Sequence, residues 1–220
     1  MPMLELFAHP FSSYCWKALI ALYENGTEFS YRMTDPDHPE NMERLQAFSP
    51  QGKFPLLVDS GHGVFEATII IEHLQLCHPG RVSFIPSDPR AALDVRMLDR
   101  FFDNYVMTPM QRIVADAMRE PEKRDPQGVG EAKAMLARSY AWLENRLEGR
   151  EFACGGEFSL ADCAAAPSLF YADWVQEIGP EQPLLRAYRA RLLSRPSVKR
   201  CVDDARPYRA YFPPGAPDRD

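Results

Sequence analysis

Met3-Leu4-Glu5-Leu6-Phe7-Ala8 runs through His9-Pro10-Phe11 into Ser12-Ser13-Tyr14-Cys15-Trp16-Lys17, and Leu19, Ile20 and Leu22 follow at once. The opening six residues read as a short apolar strand. Hydroxyls and a thiol then edge the first turn of an apolar helix over 15–25, which Gly26 stops. A helix start collects unpaired backbone N–H groups and the positive end of the macrodipole. It is suited to holding an anion, a thiolate included. Strand, polar turn and helix together mark a candidate site for thiol chemistry.

Outward from that turn the pattern continues as strand and helix. Phe29, Tyr31 and Met33 alternate with polar residues and predict a second strand; 41–48 reads as a short helix. Phe54-Pro55-Leu56-Leu57-Val58 is apolar, Asp59-Ser60-Gly61-His62-Gly63 turns the chain, and Val64-Phe65 resumes, which predicts a hairpin. Residues 67–77 read as a helix stopped near Pro79-Gly80. Strands joined through helices pair in parallel and a hairpin pairs antiparallel, so a mixed four-stranded sheet is expected. Ile85-Pro86-Ser87-Asp88-Pro89 reads as a linker between an α/β domain over 1–80 and an all-helical domain over 88–220.

In the second part Leu98, Phe101, Phe102, Tyr105 and Val106 keep helix spacing, and Leu136, Tyr140, Leu143 and Leu147 form an apolar stripe. Residues 120–130, with two prolines and two glycines, separate the two. Ser159-Leu160-Ala161-Asp162 has capping-box spacing, and Pro167 is expected to kink or reset the helix it opens. Residues 183–193 form a further amphipathic helix, 186–200 a solvated basic face, and the tail after Pro207 is expected to be irregular.

Composition narrows the function classes. No apolar run approaches the roughly 20 residues of a membrane span, and no secretory signal is visible. A net charge of -6 argues against a nucleic-acid partner. The five cysteines are scattered without a Cys-x-x-Cys pair, which suits a reducing cytoplasm. His73 and Cys77 stand at i and i+4, but two ligands make no metal site and no completing set is visible, so no metal is expected.

Four segments taken together resemble the cytosolic glutathione S-transferase family. They are Ser12-Ser13-Tyr14-Cys15-Trp16-Lys17, Ser49-Pro50-Gln51-Gly52-Lys53-Phe54-Pro55-Leu56-Leu57, Phe65-Glu66-Ala67-Thr68-Ile69-Ile70-Ile71-Glu72-His73-Leu74 and Phe158-Ser159-Leu160-Ala161-Asp162. The resemblance implies a thioredoxin-like N-terminal domain, a helical bundle behind it, glutathione as co-substrate, a small hydrophobic electrophile and a cytoplasmic homodimer. The first segment is similar to the serine-type turn of the theta and zeta classes, with zeta-like features pointing to a maleylacetoacetate-type isomerase, and the whole is bacterial-looking.

Read alone, Ser12 is a helix N-cap. By resemblance it is the hydroxyl that donates to the glutathione sulfur, with Ser13 the neighbouring alternative. Phe54, before a cis Pro55, would pair its backbone with the cysteinyl part of glutathione. Glu66 would meet the γ-glutamyl ammonium and the N–H of Ala67 its carboxylate, while Lys53 approaches the glycyl carboxylate. Ala67 departs from the family's usual serine, and Thr68 could compensate in part. Phe11, Tyr105, Met107 and Arg112 are candidates for an apolar second-substrate pocket. Two other readings stand beside the transferase: a non-catalytic glutathione-fold binding or regulatory protein, and a disulfide reductase acting through Cys15. A lone thiol there lacks the partner that a dithiol cycle requires.

Overall fold

The computed structural model describes residues 4–220. Met3, the first residue of the expected opening strand, lies outside them. The N-terminal part is β1 (Leu4–Ala8), α1 (Ser13–Asn25), β2 (Phe29–Met33), α2 (Pro39–Phe48), β3 (Leu56–Asp59), β4 (His62–Phe65) and α3 (Ala67–Cys77). The sheet order is β2-β1-β3-β4. β1 runs parallel to β2 and antiparallel to β3, and β3 pairs with β4 as the hairpin. This is the mixed, thioredoxin-like sheet expected of the sequence.

Side-chain alternation divides the sheet between two cores. Leu4, Leu6, Ala8 and Leu57 face α1 and α3 in the main cluster, whereas Phe7, Leu56 and Val58 face Leu45 of α2 in a smaller one. Gly26 takes φ 59° at the end of α1, and Thr27 N–H reaches back to the Leu22 carbonyl, a helix stop that glycine adopts without a Cβ penalty.

The helical part is α4 (Pro89–Phe101), a π-helical segment (Phe102–Met107), α5 (Thr108–Ala117), α6 (Pro126–Arg146), α7 (Leu160–Val175), α8 (Pro183–Ser194) and α9 (Pro196–Ala205). The periodicity around Phe101 and Tyr105 predicted helix but not the π-helical step. Its cause is local: Pro109 has no N–H for the Tyr105 carbonyl four residues back. Ser139 Oγ of α6 donates to that carbonyl at 2.8 Å instead. α7 is buried along nearly its whole length and runs on through Pro167 without a break, so the helix is not reset there. Asp162 accepts from the Ser159 N–H at 2.8 Å, closing the capping box at its start.

α1 is the hinge-pin of the assembly, packing on α3 within its own domain and on α7 and α9 beyond it. Trp16, fully buried, lies against Phe170 and Tyr171 of α7 with ring centroids 4.8 and 5.4 Å away. The basic run over 186–200 is only partly a solvated face. Arg189 ion-pairs with Asp173 at 3.3 Å, and Arg195 with Glu24 of α1 at 2.7 Å. The tail past Pro207 includes the end of a 3-10 turn (Arg206–Tyr211) before becoming irregular. No helix of the described residues is long and apolar enough to cross a membrane.

Candidate functional site

Ser12 caps α1. Its backbone is extended, and its Oγ accepts from the Cys15 N–H at 3.4 Å. Capping uses one lone pair of the hydroxyl oxygen. Ser12 is half-buried, whereas Ser13, the first residue of α1, is buried at 7% exposure. The two hydroxyls are therefore unequal in access. Cys15 is sealed inside the core, and burial pushes its thiol up to about 12 against the opposing hydrogen bond of Ser12. A thiol so placed is a poor source of exchange thiolate at neutral pH, which weighs against the disulfide-reductase reading.

The turn before Ser12 is braced by groups that the sequence did not mark. His9 Nδ1 accepts from the Phe11 N–H at 3.1 Å, and its ring meets Tyr208 edge-on at 4.8 Å. Burial lowers the His9 pKa, and the ring nitrogen that accepts requires the neutral form. Trp16 Nε1–H donates to the Pro10 carbonyl at 2.5 Å, and Tyr171 Oη donates to the Phe11 carbonyl at 3.0 Å. The turn is thus held from both domains.

The Phe54–Pro55 peptide is cis. Phe54 is half-buried and packs on both cores, with its ring centroid 6.5 Å from that of His9, while Lys53 is exposed. Glu66 precedes α3 with φ 69°, an uncommon conformation for a residue with a side chain. It is exposed, and Ala67 behind it is buried. Thr68 does not make up for the missing hydroxyl at Ala67. Its Oγ1 donates to Asp99 Oδ2 at 2.9 Å and accepts from Lys17 Nζ at 2.8 Å and from Arg100. Both lone pairs and the proton are engaged.

Those partners form a charged network between the domains. Lys17 of α1, at 1% exposure, lies 2.5 Å from Asp99 Oδ1 and 2.8 Å from Asp103 Oδ2. Arg100 Nη2 reaches Asp99 at 2.7 Å and Asp103 at 2.5 Å. Burial pushes the Asp103 carboxyl up, and Lys17 pulls it back. Two cations thus meet two carboxylates. Arg100 remains half exposed and edges the same hollow as Glu66, Thr68, Ile69 and Asp99. Sequence reasoning missed this cluster because its members come from three elements; an unbroken apolar run around a single Lys17 was the available signal.

Phe11, Tyr105, Met107 and Arg112 do not share one pocket. Phe11 packs on Tyr171 and Phe212. Met107 is core at 1% exposure, and Arg112 pairs with Glu131 at 3.1 Å on the surface. Tyr105 lines a separate hollow with Phe101, Met135, Arg138 and Trp142. At the far end of α3, His73 meets not a metal partner in Cys77 but Asp59, which it shares with His78.

Comparison with known proteins identifies the family of both parts of the chain. The family model of the glutathione S-transferase N-terminal domain matches residues 6–81, and that of the C-terminal domain matches residues 103–196. The chain is 26% identical over 218 residues to glutathione S-transferase U22 of Arabidopsis thaliana, covering 95% of this chain and 93% of that protein. A probable maleylacetoacetate isomerase of Caenorhabditis elegans is 25% identical over 171 residues, 76% of this chain and 78% of its own. Among solved structures, a glutathione S-transferase of Methylobacterium radiotolerans in complex with glutathione sulfonate superposes with a TM-score of 0.79 at 25% identity, covering 91% of this chain and 94% of that one.

Proposed function

The chain belongs to the glutathione S-transferase family, and on that footing we propose that it is a serine-type glutathione transferase in which Ser12 holds the glutathione thiolate. The observation that carries this reading is the contrast at the mouth of α1. The Ser12 hydroxyl stands half-buried at the helix mouth, while the Cys15 thiol is sealed in the core. Hydrogen bonding to the anionic form lowers the pKa of a thiol, and the end of α1 adds its dipole.

In this reading glutathione lies along the edge of the N-terminal domain. The Phe54 backbone pairs with its cysteinyl part, and Lys53 approaches its glycyl carboxylate. Glu66 meets the γ-glutamyl ammonium. The neighbouring carboxylate takes the N–H of Ala67 and, from the helical domain, Arg100, which supplies a donor where Ala67 has no hydroxyl. The thiolate sulfur then forms a bond to an electrophilic carbon of a small apolar substrate, displacing a leaving group that departs with its electron pair or opening a conjugated double bond whose electron pair moves onto the substrate. Conjugation consumes glutathione; isomerisation breaks the new bond again and returns it. The serine turn and the similarity to a probable maleylacetoacetate isomerase favour the isomerase variant.

One observation favours a second reading, a glutathione-fold binding protein without catalysis: Ala67 lacks the family's hydroxyl and Thr68 is engaged elsewhere. Titration of bound glutathione separates the two, since only the transferase needs a lowered thiol pKa.

Ser12→Ala is expected to cut turnover at least tenfold in a steady-state assay, with glutathione affinity changed only a few-fold, because the hydroxyl acts chiefly on the thiolate. Ser13→Ala is expected to stay within about twofold, as that side chain is buried. Unchanged turnover in the first variant would take Ser12 out of the mechanism.

A cytoplasmic homodimer is part of the same proposal. Exposed apolar side chains on β4 (Phe65), α3 (Ile69) and α4 (Leu93, Met97) supply a surface suited to association. Sedimentation equilibrium at micromolar concentration is expected to give twice the chain mass; a monomer alone would contradict it.

A further inference from the structure

We propose that Asp59, His73 and His78 form a binding site for a borderline first-row divalent cation, with zinc the natural probe. Among the described residues this is the group of side chains whose ligand atoms converge, all three lying within 4.8 Å of one another. His73 Nε2 is 2.9 Å and His78 Nε2 is 2.7 Å from the same oxygen, Oδ2 of Asp59.

The local fold creates this convergence. Asp59 ends β3, and Ser60, in a left-handed turn at φ 52°, donates its hydroxyl to Asp59 Oδ1 at 3.0 Å. One carboxylate oxygen is thereby occupied, and the other is aimed at the two rings. His73 and His78 are five residues apart, a spacing that separates side chains around a regular helix. His78 escapes that rule because it is the C-cap of α3, with φ -133°, and its ring swings back to 6.0 Å from that of His73.

Two imidazole nitrogens and one carboxylate oxygen make a donor set suited to zinc and its neighbours rather than to magnesium or calcium. Zinc holds such atoms at about 2.0–2.2 Å, which spaces tetrahedral ligands roughly 3.3 Å apart. The two nitrogen–oxygen distances are shorter than that by about half an ångström, so Asp59 Oδ2 draws back from both rings to admit the cation. The cation would replace the two Nε2 protons, and each ring would carry its proton on Nδ1 instead. For His73 an acceptor is already in place: Cys77 Sγ lies 3.8 Å from Nδ1. An acceptor behind the ring in this position orients a metal-bound imidazole. Side-chain exposures of 13%, 23% and 32% for Asp59, His73 and His78 leave an entry path and a fourth position for water or another ligand.

The site is remote from Ser12. β3 runs antiparallel to β1 with Leu56 opposite Phe7 and Val58 opposite Glu5, so Asp59 lies at the other end of the sheet from Ala8. The cation would tie the hairpin to the end of α3, whose start carries Glu66 and Ala67. The site therefore does not depend on the transferase reading.

Titration calorimetry of the full chain with zinc chloride, without glutathione, is expected to show one zinc per chain at micromolar or tighter affinity. Asp59→Asn and His78→Gln are each expected to weaken binding at least tenfold, and Cys77→Ser to leave it within about threefold. No binding at 100 micromolar zinc, roughly a hundredfold above the expected range, would overturn the proposal. Variants that bind as the parent does would mean an adventitious ion only, and loss confined to Cys77→Ser would place the metal on the i,i+4 pair; either result overturns it. Should the variants fail to fold, nitrogen NMR of the unaltered protein decides. Zinc is expected to move the His73 and His78 rings to the Nδ1–H tautomer and leave His9, His38 and His62 unmoved, and the opposite pattern overturns the assignment.

Discussion

Replacing Lys17 with methionine is expected to cost the fold about 3 kcal/mol, read as the difference in urea-unfolding free energy. The ammonium lies between Asp99 and Asp103 at 2.5 and 2.8 Å, all but inaccessible to water. Removing one member of a buried ion pair leaves the other charged and unsolvated, which typically costs about 3–5 kcal/mol. The lower end applies because Arg100 still holds both carboxylates from the solvent side. Methionine keeps most of the aliphatic volume, so the loss reports charge more than cavity. A change under about 1 kcal/mol would mean that the two carboxyls accept protons or water cheaply and that the network does not anchor one domain to the other.

Asp162→Ala is expected to cost more, about 4 kcal/mol, by the same measurement. Its carboxylate accepts from the Ala153 and Ser159 N–H groups at 2.9 and 2.8 Å, from Ser159 Oγ at 2.8 Å and from Tyr188 Oη at 2.6 Å. Burial pushes the carboxyl up, and those donors oppose it. In the alanine variant the Ala153 and Ser159 N–H groups and the Tyr188 hydroxyl lose their acceptor in a site closed to water, at about 1–3 kcal/mol for each buried donor. The start of α7 loses its cap as well. Asp162→Asn, which keeps the shape but turns an NH2 group toward converging donors, should fall between parent and alanine. If alanine stays within 1 kcal/mol of the parent, water has entered and the cap is dispensable.

The contrast between these two sites shows what was legible in advance. Ser159 and Asp162 are three residues apart, so the capping box could be read from spacing, as could the mixed parallel and antiparallel pairing that the helices between strands and the Asp59–Gly63 turn impose. The positions of Ser12 and Glu66 at helix starts were legible for the same local reason. Lys17 was not, because its partners lie on α3, α4 and the π-helical segment, and periodicity says nothing of which faces meet. Thr68 looked free to assist Ala67 until Asp99 and Arg100 were found on it. Phe11, Tyr105, Met107 and Arg112 looked like one pocket for the converse reason: apolar character was visible, mutual placement was not. His73 had a sequence neighbour in Cys77, but the carboxylate it uses is across the sheet edge.

The π-helical segment carries a consequence for how this chain can change in length. A π turn holds one residue more than the α turn it stands in for, and here α4 and α5 continue from its two ends without a break. Successive helical residues advance by about 100°. Losing one residue from 102–107 would therefore restore an ordinary α turn and leave α5 in phase with α4, with Met110 and Ile113 still entering the core. In the plain helix on either side the same deletion would turn everything beyond it by that angle. Descent can thus shorten the chain by one residue at this step at little cost to the packing around it, a freedom that buried helices otherwise lack.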